Sequence, residues 1–166
     1  MADINLRRFR QEDADLTVKI FLNDQVKKTY MLPDLTEEAA YKLFDRFLTC
    51  SNDDNRYVRA VCLGEHVVGW LNDTDYPENG IELGWVIDLA CHNKGYATAA
   101  VKLAIIELFA AGFRRVVAGA FSSNFASIRV MEKSGMKRMD ITEDIEYRGQ
   151  THCCVYYQIE CPEYIQ

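Results

Sequence analysis

The sequence predicts an α/β fold: a mixed central sheet of about seven strands with flanking helices. Three observations carry that prediction. The first is a change of period in mid-chain. Ile81, Leu83, Trp85 and Ile87 alternate with Glu82, Gly84, Val86 and Asp88, as in a strand. Ala97, Ala100, Val101, Ala104, Ile105, Leu108 and Phe109 then fall on one stripe of a helix that Gly112 closes. The second is the β-branched run over residues 114–120, which lies parallel to the strand at 82–88 if the helix between them is a right-handed crossover. The third is a pair of hairpin signals. Residues 57–63 and 66–72 meet at Gly64-Glu65, and residues 136–146 and 151–160 turn at Arg148-Gly149.

From the N-terminus, residues 4–8 alternate as a first strand. Gln11-Glu12-Asp13 then opens a helix with Leu16 and Ile20 on one face. Residues 23–33 read as irregular, with Tyr30 and Met31 shortly before Pro33. Thr36 caps a second helix whose stripe is Ala40, Leu43, Phe44, Phe47 and Leu48. Residues 51–55 form a solvated turn, and residues 73–80 a polar loop into the central strand. A short helix runs from Asn124 to its stop at Gly135. No repeat, linker or low-complexity stretch interrupts the order, so residues 1–166 read as a single domain.

Composition narrows the classes of function. The chain is 49% hydrophobic and 27% charged, the balance of an ordinary globular protein. Nineteen Lys and Arg against 25 Asp and Glu give a net charge of −6, which argues against a nucleic-acid partner and favours a cationic one. The N-terminus lacks the apolar core of a signal peptide, and no stretch approaches the ~20 apolar residues of a membrane span. Six cysteines at irregular spacing, without C-x-x-C, read as reduced thiols of a cytoplasmic protein. His66, His92 and His152 join no cluster at ligand spacing, so no metal site is expected.

The junction between the central strand and the long helix carries the first functional reading. In Lys94-Gly95-Tyr96-Ala97-Thr98, small residues line a helix start whose first N–H groups have no intrahelical acceptor. Free amides, the positive end of the helix dipole and a nearby lysine suit a diphosphate. Neither a G-x-G-x-x-G fingerprint nor a P-loop is present. About thirty residues on comes Asn124-x-x-Ser127-x-x-x-Met131-Glu132-Lys133-x-Gly135-Met136.

These two motifs, in this order and after that strand, resemble the GNAT superfamily of acyl-CoA-dependent N-acetyltransferases. The likeness is greatest to the branch containing the ribosomal-protein alanine N-acetyltransferases, and the element order agrees over nearly the whole chain. The resemblance implies acetyl-CoA as cosubstrate, its diphosphate on Lys94, Gly95, Tyr96, Ala97 and Thr98. It also implies a central strand that splays from its parallel neighbour, so that backbone groups of Val86 and Ile87 hold the pantetheine and polarise the thioester carbonyl. Asn124 would bind pantetheine or acceptor, or cap its helix. Two positions depart from the family pattern. His92 stands where Gln or Arg is usual, and Met131 where many relatives carry the tyrosine that protonates the leaving thiolate. Ser127 is then the candidate for a hydrogen bond near the sulfur, or a cap.

Acetyl transfer requires a neutral amine. A peptide α-amine of pKa ~7.8 is about a tenth neutral at pH 7, and a lysine amine of ~10.4 only about four parts in ten thousand. Glu82, beside the room left by Gly84, is the candidate base; a solvated strand-entry glutamate is the alternative. Asp73, Asp75 and Asp88 are lesser candidates. The expected acceptor is a primary amine on a peptide or protein N-terminus, drawn in by Asp73, Asp75 and Glu78, with the protein acting as a monomer or homodimer. The alternatives are a small amine such as a polyamine or aminoglycoside, and a catalytically silent acyl-CoA-binding module.

Overall fold

The computed structural model describes residues 3–164. Seven strands form one mixed sheet. They are β1 (Ile4–Arg7), β2 (Val58–Leu63), β3 (His66–Asp75), β4 (Gly80–Ile87), β5 (Arg115–Phe121), β6 (Lys137–Tyr147) and β7 (Gln150–Glu160). Their order across the sheet is β1-β2-β3-β4-β5-β7-β6, and β4–β5 is a parallel pair, as the crossover argument predicts. Five α-helices accompany them: α1 (Ala14–Phe21), α2 (Asp24–Thr29), α3 (Glu37–Ser51), α4 (Tyr96–Ala110) and α5 (Phe125–Lys133). By its contacts the chain divides into two compact units. One comprises the residues up to Asn72 with Trp85–Ala100; the other comprises Asp73–Gly84 and the chain from Val101 onward.

The first unit is built around Trp70, which is fully buried on β3. Phe21 of α1 meets it with ring centroids 4.9 Å apart, Phe47 of α3 at 5.7 Å and Tyr30 at 5.5 Å, all edge to face or nearly so. Phe9 and Phe44 extend the cluster, and Val86 of β4 joins it. At its rim Arg7 of β1 grips Asp13 through two hydrogen bonds of 2.8 Å. Burial raises the Asp13 pKa, but the hydrogen bonds and charge of Arg7 and the Arg10 amide outweigh it and hold the carboxyl below its ordinary value.

In the second unit the predicted stripe of α4 is the buried one: Val101, Ala104, Ile105 and Leu108 are all closed to solvent. Ile81, Leu83, Val116 and Ala118 are buried on one side of β4 and β5. Met131 of α5 is fully buried as well, and Glu132 accepts a hydrogen bond from the Tyr157 hydroxyl of β7. The β6–β7 hairpin turns at Arg148 and Gly149, both left-handed, as the sequence signal foretold.

Three local expectations give way. Leu16 does not face the core; Thr17, Val18, Ile20 and Phe21 do, so the buried stripe of α1 is set one position later. The stretch read as irregular contains α2, capped by Asn23 Oδ1 accepting from the Gln25 amide at 2.9 Å. The polar run Asp73-Thr74-Asp75, read as loop, continues β3. Its polarity is tolerated because Asp73, 3% exposed, accepts from the Tyr76 hydroxyl, and Thr74 Oγ1 donates to the Glu82 carbonyl at 3.4 Å.

Candidate active site

The parallel ladder of β4 and β5 has three rungs: Gly80 with Arg115, Ile81 with Val116 and Glu82 with Val117. Leu83 and Gly84, which follow on β4, have no β5 partner among the described residues, while β5 pairs with β7 from Arg115 to Phe121. On its other side β4 is drawn in tightly. A Cβ on Gly69 of β3 would stand 2.0 Å from the Val86 carbonyl oxygen and 2.9 Å from the Ile87 Cα, so only glycine admits β4 in this course. The Asp88 amide continues the pairing by donating to the Val68 carbonyl at 2.8 Å.

Past β4 the backbone is fixed by short-range bonds. Asp88 Oδ1 accepts from the Ala90 amide at 3.2 Å, the His92 ring pairs through Nε2 with the Ile87 carbonyl at 2.8 Å, and Lys94 Nζ donates to the Ala90 carbonyl at 3.0 Å. His92 therefore braces the strand end, and the Ile87 carbonyl is engaged. Asn93 (φ 59°) and Gly95 (φ 78°) turn the chain through the left-handed region into α4. The first bond of the helix runs from the Ala99 amide to the Gly95 carbonyl at 3.0 Å. The amides of Tyr96, Ala97 and Thr98 precede it and point out of the helix start. A Cβ on Gly95 would meet nothing within 4 Å, so the space before this start is open. That is the arrangement a diphosphate requires.

In the second unit Glu82 is half-buried. Burial raises its pKa; the charges of Asp75 and Glu143 add to the rise, and a hydrogen bond from Thr74 opposes it. A carboxyl that gives up its proton nearer neutrality is a stronger base. Cys154 of β7 is buried, and burial raises its thiol too, against a hydrogen bond with Tyr156. The Tyr156 hydroxyl donates to Glu143 Oε2 at 2.7 Å, and burial together with that bond pushes its pKa up.

The remaining expected residues have local duties. Asn124 Oδ1 caps α5 by accepting from the Ser127 amide at 3.2 Å, which leaves its NH₂ group for a ligand. Ser127 lies half-buried in the first turn of α5. Asp73 is closed off by Tyr76, whereas Asp75 and Glu78 stay exposed. The sequence reading did not single out Gly69, Thr74, Glu143, Cys154 or Tyr156. For Gly69 a signal existed, a lone glycine inside an apolar strand beside the central one.

A family model described as an acetyltransferase (GNAT) domain matches residues 3–137, and the chain belongs to that family. Acetyl-CoA is the family's cosubstrate. An uncharacterized N-acetyltransferase of Bacillus subtilis (strain 168), YnaD, is 38% identical over 101 residues, 58% of this chain and 55% of the relative. The match thus spans about half of that relative's length. Two solved structures share the fold. A ribosomal L7/L12 alpha-N-protein acetyltransferase in complex with coenzyme A superposes with a TM-score of 0.84 at 14% identity, covering 95% of this chain and 93% of its own. A spermidine N-acetyltransferase from Vibrio cholerae, in complex with coenzyme A and spermine, has a TM-score of 0.81 at 13% identity, with 96% of each chain covered. Among the described residues no helix is long and apolar enough to cross a membrane.

Proposed function

We propose that residues 1–166 act as one catalytic domain that transfers the acetyl group of acetyl-CoA to a primary amine, with a peptide or protein N-terminus as the acceptor. The observation that carries the reading is Glu82. It is a half-buried carboxyl with a raised pKa, near the head of the central strand. The family branch that the motifs resemble, and the fold neighbour that acetylates a ribosomal protein, support an N-terminal amine. The six free thiols fit a cytoplasmic setting.

In this reading the amides of Tyr96, Ala97 and Thr98, with Lys94, hold the diphosphate. Val86 and Ile87 bind the pantetheine through backbone groups, and Asn124 binds it through its side-chain amide. Glu82 takes a proton from the acceptor ammonium, and the neutral nitrogen attacks the thioester carbonyl. The C–S bond then breaks, the electron pair leaves on sulfur, and the second proton of the attacking nitrogen passes through solvent to the thiolate. Met131, fully buried, offers that sulfur no proton. A thiol of pKa ~8.5 leaves without a dedicated acid, and Ser127 supplies a hydrogen bond.

The test is acetyl transfer, read by mass spectrometry of the product, across peptides, polyamines and amino sugars. The expected outcome is the highest kcat/KM on peptide α-amines. Turnover confined to polyamines or amino sugars would reassign the acceptor, and tight acetyl-CoA binding without any turnover would make the domain a binding module. A companion variant checks the cradle. Gly95→Glu places a carboxylate where the diphosphate belongs, and should abolish acetyl-CoA binding by calorimetry while the protein stays folded by circular dichroism.

A further inference from the structure

The sheet face that carries Glu82 also carries a tyrosine fastened to a second carboxylate. Glu82 lies opposite Val117, and Val117 opposite Gln158. Two residues along, Gly119 lies opposite Tyr156; two further, Phe121 lies opposite Cys154, which lies opposite Glu143. Residues opposite one another, or two apart on a strand, project to one side, so Glu82, Gly119, Cys154, Tyr156 and Glu143 share a face. A Cβ on Gly119 would stand 2.8 Å from Tyr156 Cε1, 3.1 Å from Cδ1 and 3.3 Å from Cys154 Sγ. The absent side chain is therefore the seat of the tyrosine ring. From that seat the hydroxyl reaches Glu143 Oε2 at 2.7 Å. Glu143 is exposed on β6, where an untethered glutamate would wander among rotamers and lose its field to the solvent.

We propose that Tyr156 and Glu143 are positioning residues for the base: Tyr156, seated on Gly119, holds the Glu143 carboxylate on the face of Glu82, where its charge acts on the base. The inference rests on Glu82 being the base. The titratable groups that act on Glu82 are Asp75 from β3, Glu143 from β6 and Cys154 from β7. The same alternation brings Arg115, Val117, Gly119 and Phe121 of β5, Lys137 of β6 and His152 and Glu160 of β7 to this face, and the Arg115 guanidinium is taken up by the Gln158 side chain and the Glu78 carbonyl. Asp75 and Glu143 both favour protonated Glu82, while Thr74 favours the carboxylate. Asp75 is held within its own turn by the Tyr76 amide at 2.8 Å. Glu143 comes from a strand three places away in the sheet, and Tyr156 is what keeps it there. The benefit is a stronger base at neutral pH than burial alone provides.

The experiment titrates Glu82 in the full chain by NMR of ¹³C-labelled glutamate carboxyls, assigned by its loss in Glu82→Gln. Wild type is compared with Glu143→Gln, Tyr156→Phe and Gly119→Ala. All three variants should lower the Glu82 midpoint, Glu143→Gln most. With a peptide that begins with alanine as acceptor, the ratio of kcat/KM at pH 5.5 to that at pH 8 should rise about two- to threefold in Glu143→Gln, the scale of an exposed charge pair. The acceptor's own protonation cancels between variants. An unchanged Glu82 midpoint in Glu143→Gln overturns the inference, as does a Tyr156→Phe protein that loses only thermal stability. If the acidic limb disappears in Glu82→Gln yet stays put in Glu143→Gln, Glu82 remains the base and the positioning role fails. If the midpoint moves and the rate profile does not, the electrostatic hold stands and Glu82 is not the base.

Discussion

A carboxylic acid half-buried on a strand destabilises the protein by the same amount that makes it useful. Glu82 binds its proton more tightly in the folded chain than in the unfolded one, because burial and two neighbouring carboxylates disfavour the anion. The folded state therefore holds more protons than the unfolded state between the two pKa values, and stability falls as pH rises through that window. Glu82→Gln removes the penalty. Its melting temperature should exceed wild type at pH 8 and match it at pH 4, while the rate at neutral pH falls on the order of 10²-fold. The loss should shrink at higher pH, where the acceptor deprotonates itself. A variant equally active at every pH, or no more stable at pH 8, would mean that Glu82 is structural. Glu82 was legible as a candidate in the sequence because it sits beside Gly84 at the head of the central strand. What raises its pKa was not. Thr74 lay in a stretch read as loop, and Glu143 reaches this face only through a β6–β7 register that shifts between Arg138 and Thr142. Alternation along one strand says nothing about which residue of another strand lies opposite once a bulge intervenes.

The elements followed the sequence wherever one periodicity ran long enough to be counted. The eight residues of β4 and the fifteen of α4 fall where the alternation and the stripe place them. The six residues of α2 are too few to show a stripe, and the Asn23 cap was their one signal. The close passage of β3 and β4 was not visible either, because it depends on a missing atom. That absence carries a strong expectation. Gly69→Ala drives a Cβ into the Val86 carbonyl, a backbone group that cannot rotate aside, and should cost about 3 kcal/mol. The displaced Val86–Ile87 segment should also raise the Kd for acetyl-CoA, since the pantetheine is proposed to lie along it. Urea denaturation and calorimetry on the same preparation separate the two effects. Wild-type stability in Gly69→Ala would mean that β4 yields easily and that its course owes nothing to the glycine.

For the molecule as a whole, the net charge of −6 sets the field that an acceptor meets as it arrives. The sequence offered Asp73, Asp75 and Glu78 as the source of that field. The structure withdraws Asp73, which is 3% exposed and bonded to Tyr76, and leaves Asp75 and Glu78 in solvent. Steering by exposed charge is screened within a Debye length of ~10 Å at 0.1 M salt. Peptides sharing one N-terminal residue, with Arg, Gln or Glu in second place, isolate the effect, because the second residue keeps its charge while the reacting amine stays the same. At saturating acetyl-CoA, so that salt on the diphosphate cradle does not intrude, kcat/KM should fall with salt for the Arg peptide and stay level for the Gln peptide. For the Glu peptide it should rise. Asp75→Asn combined with Glu78→Gln should flatten the Arg peptide's salt dependence and raise its KM, and measurement above the Glu82 titration keeps the base ionised in every variant. Equal turnover of the three peptides, insensitive to salt and to the double substitution, would show that charge plays no part in choosing the acceptor and that the acidity of the chain serves its solubility alone.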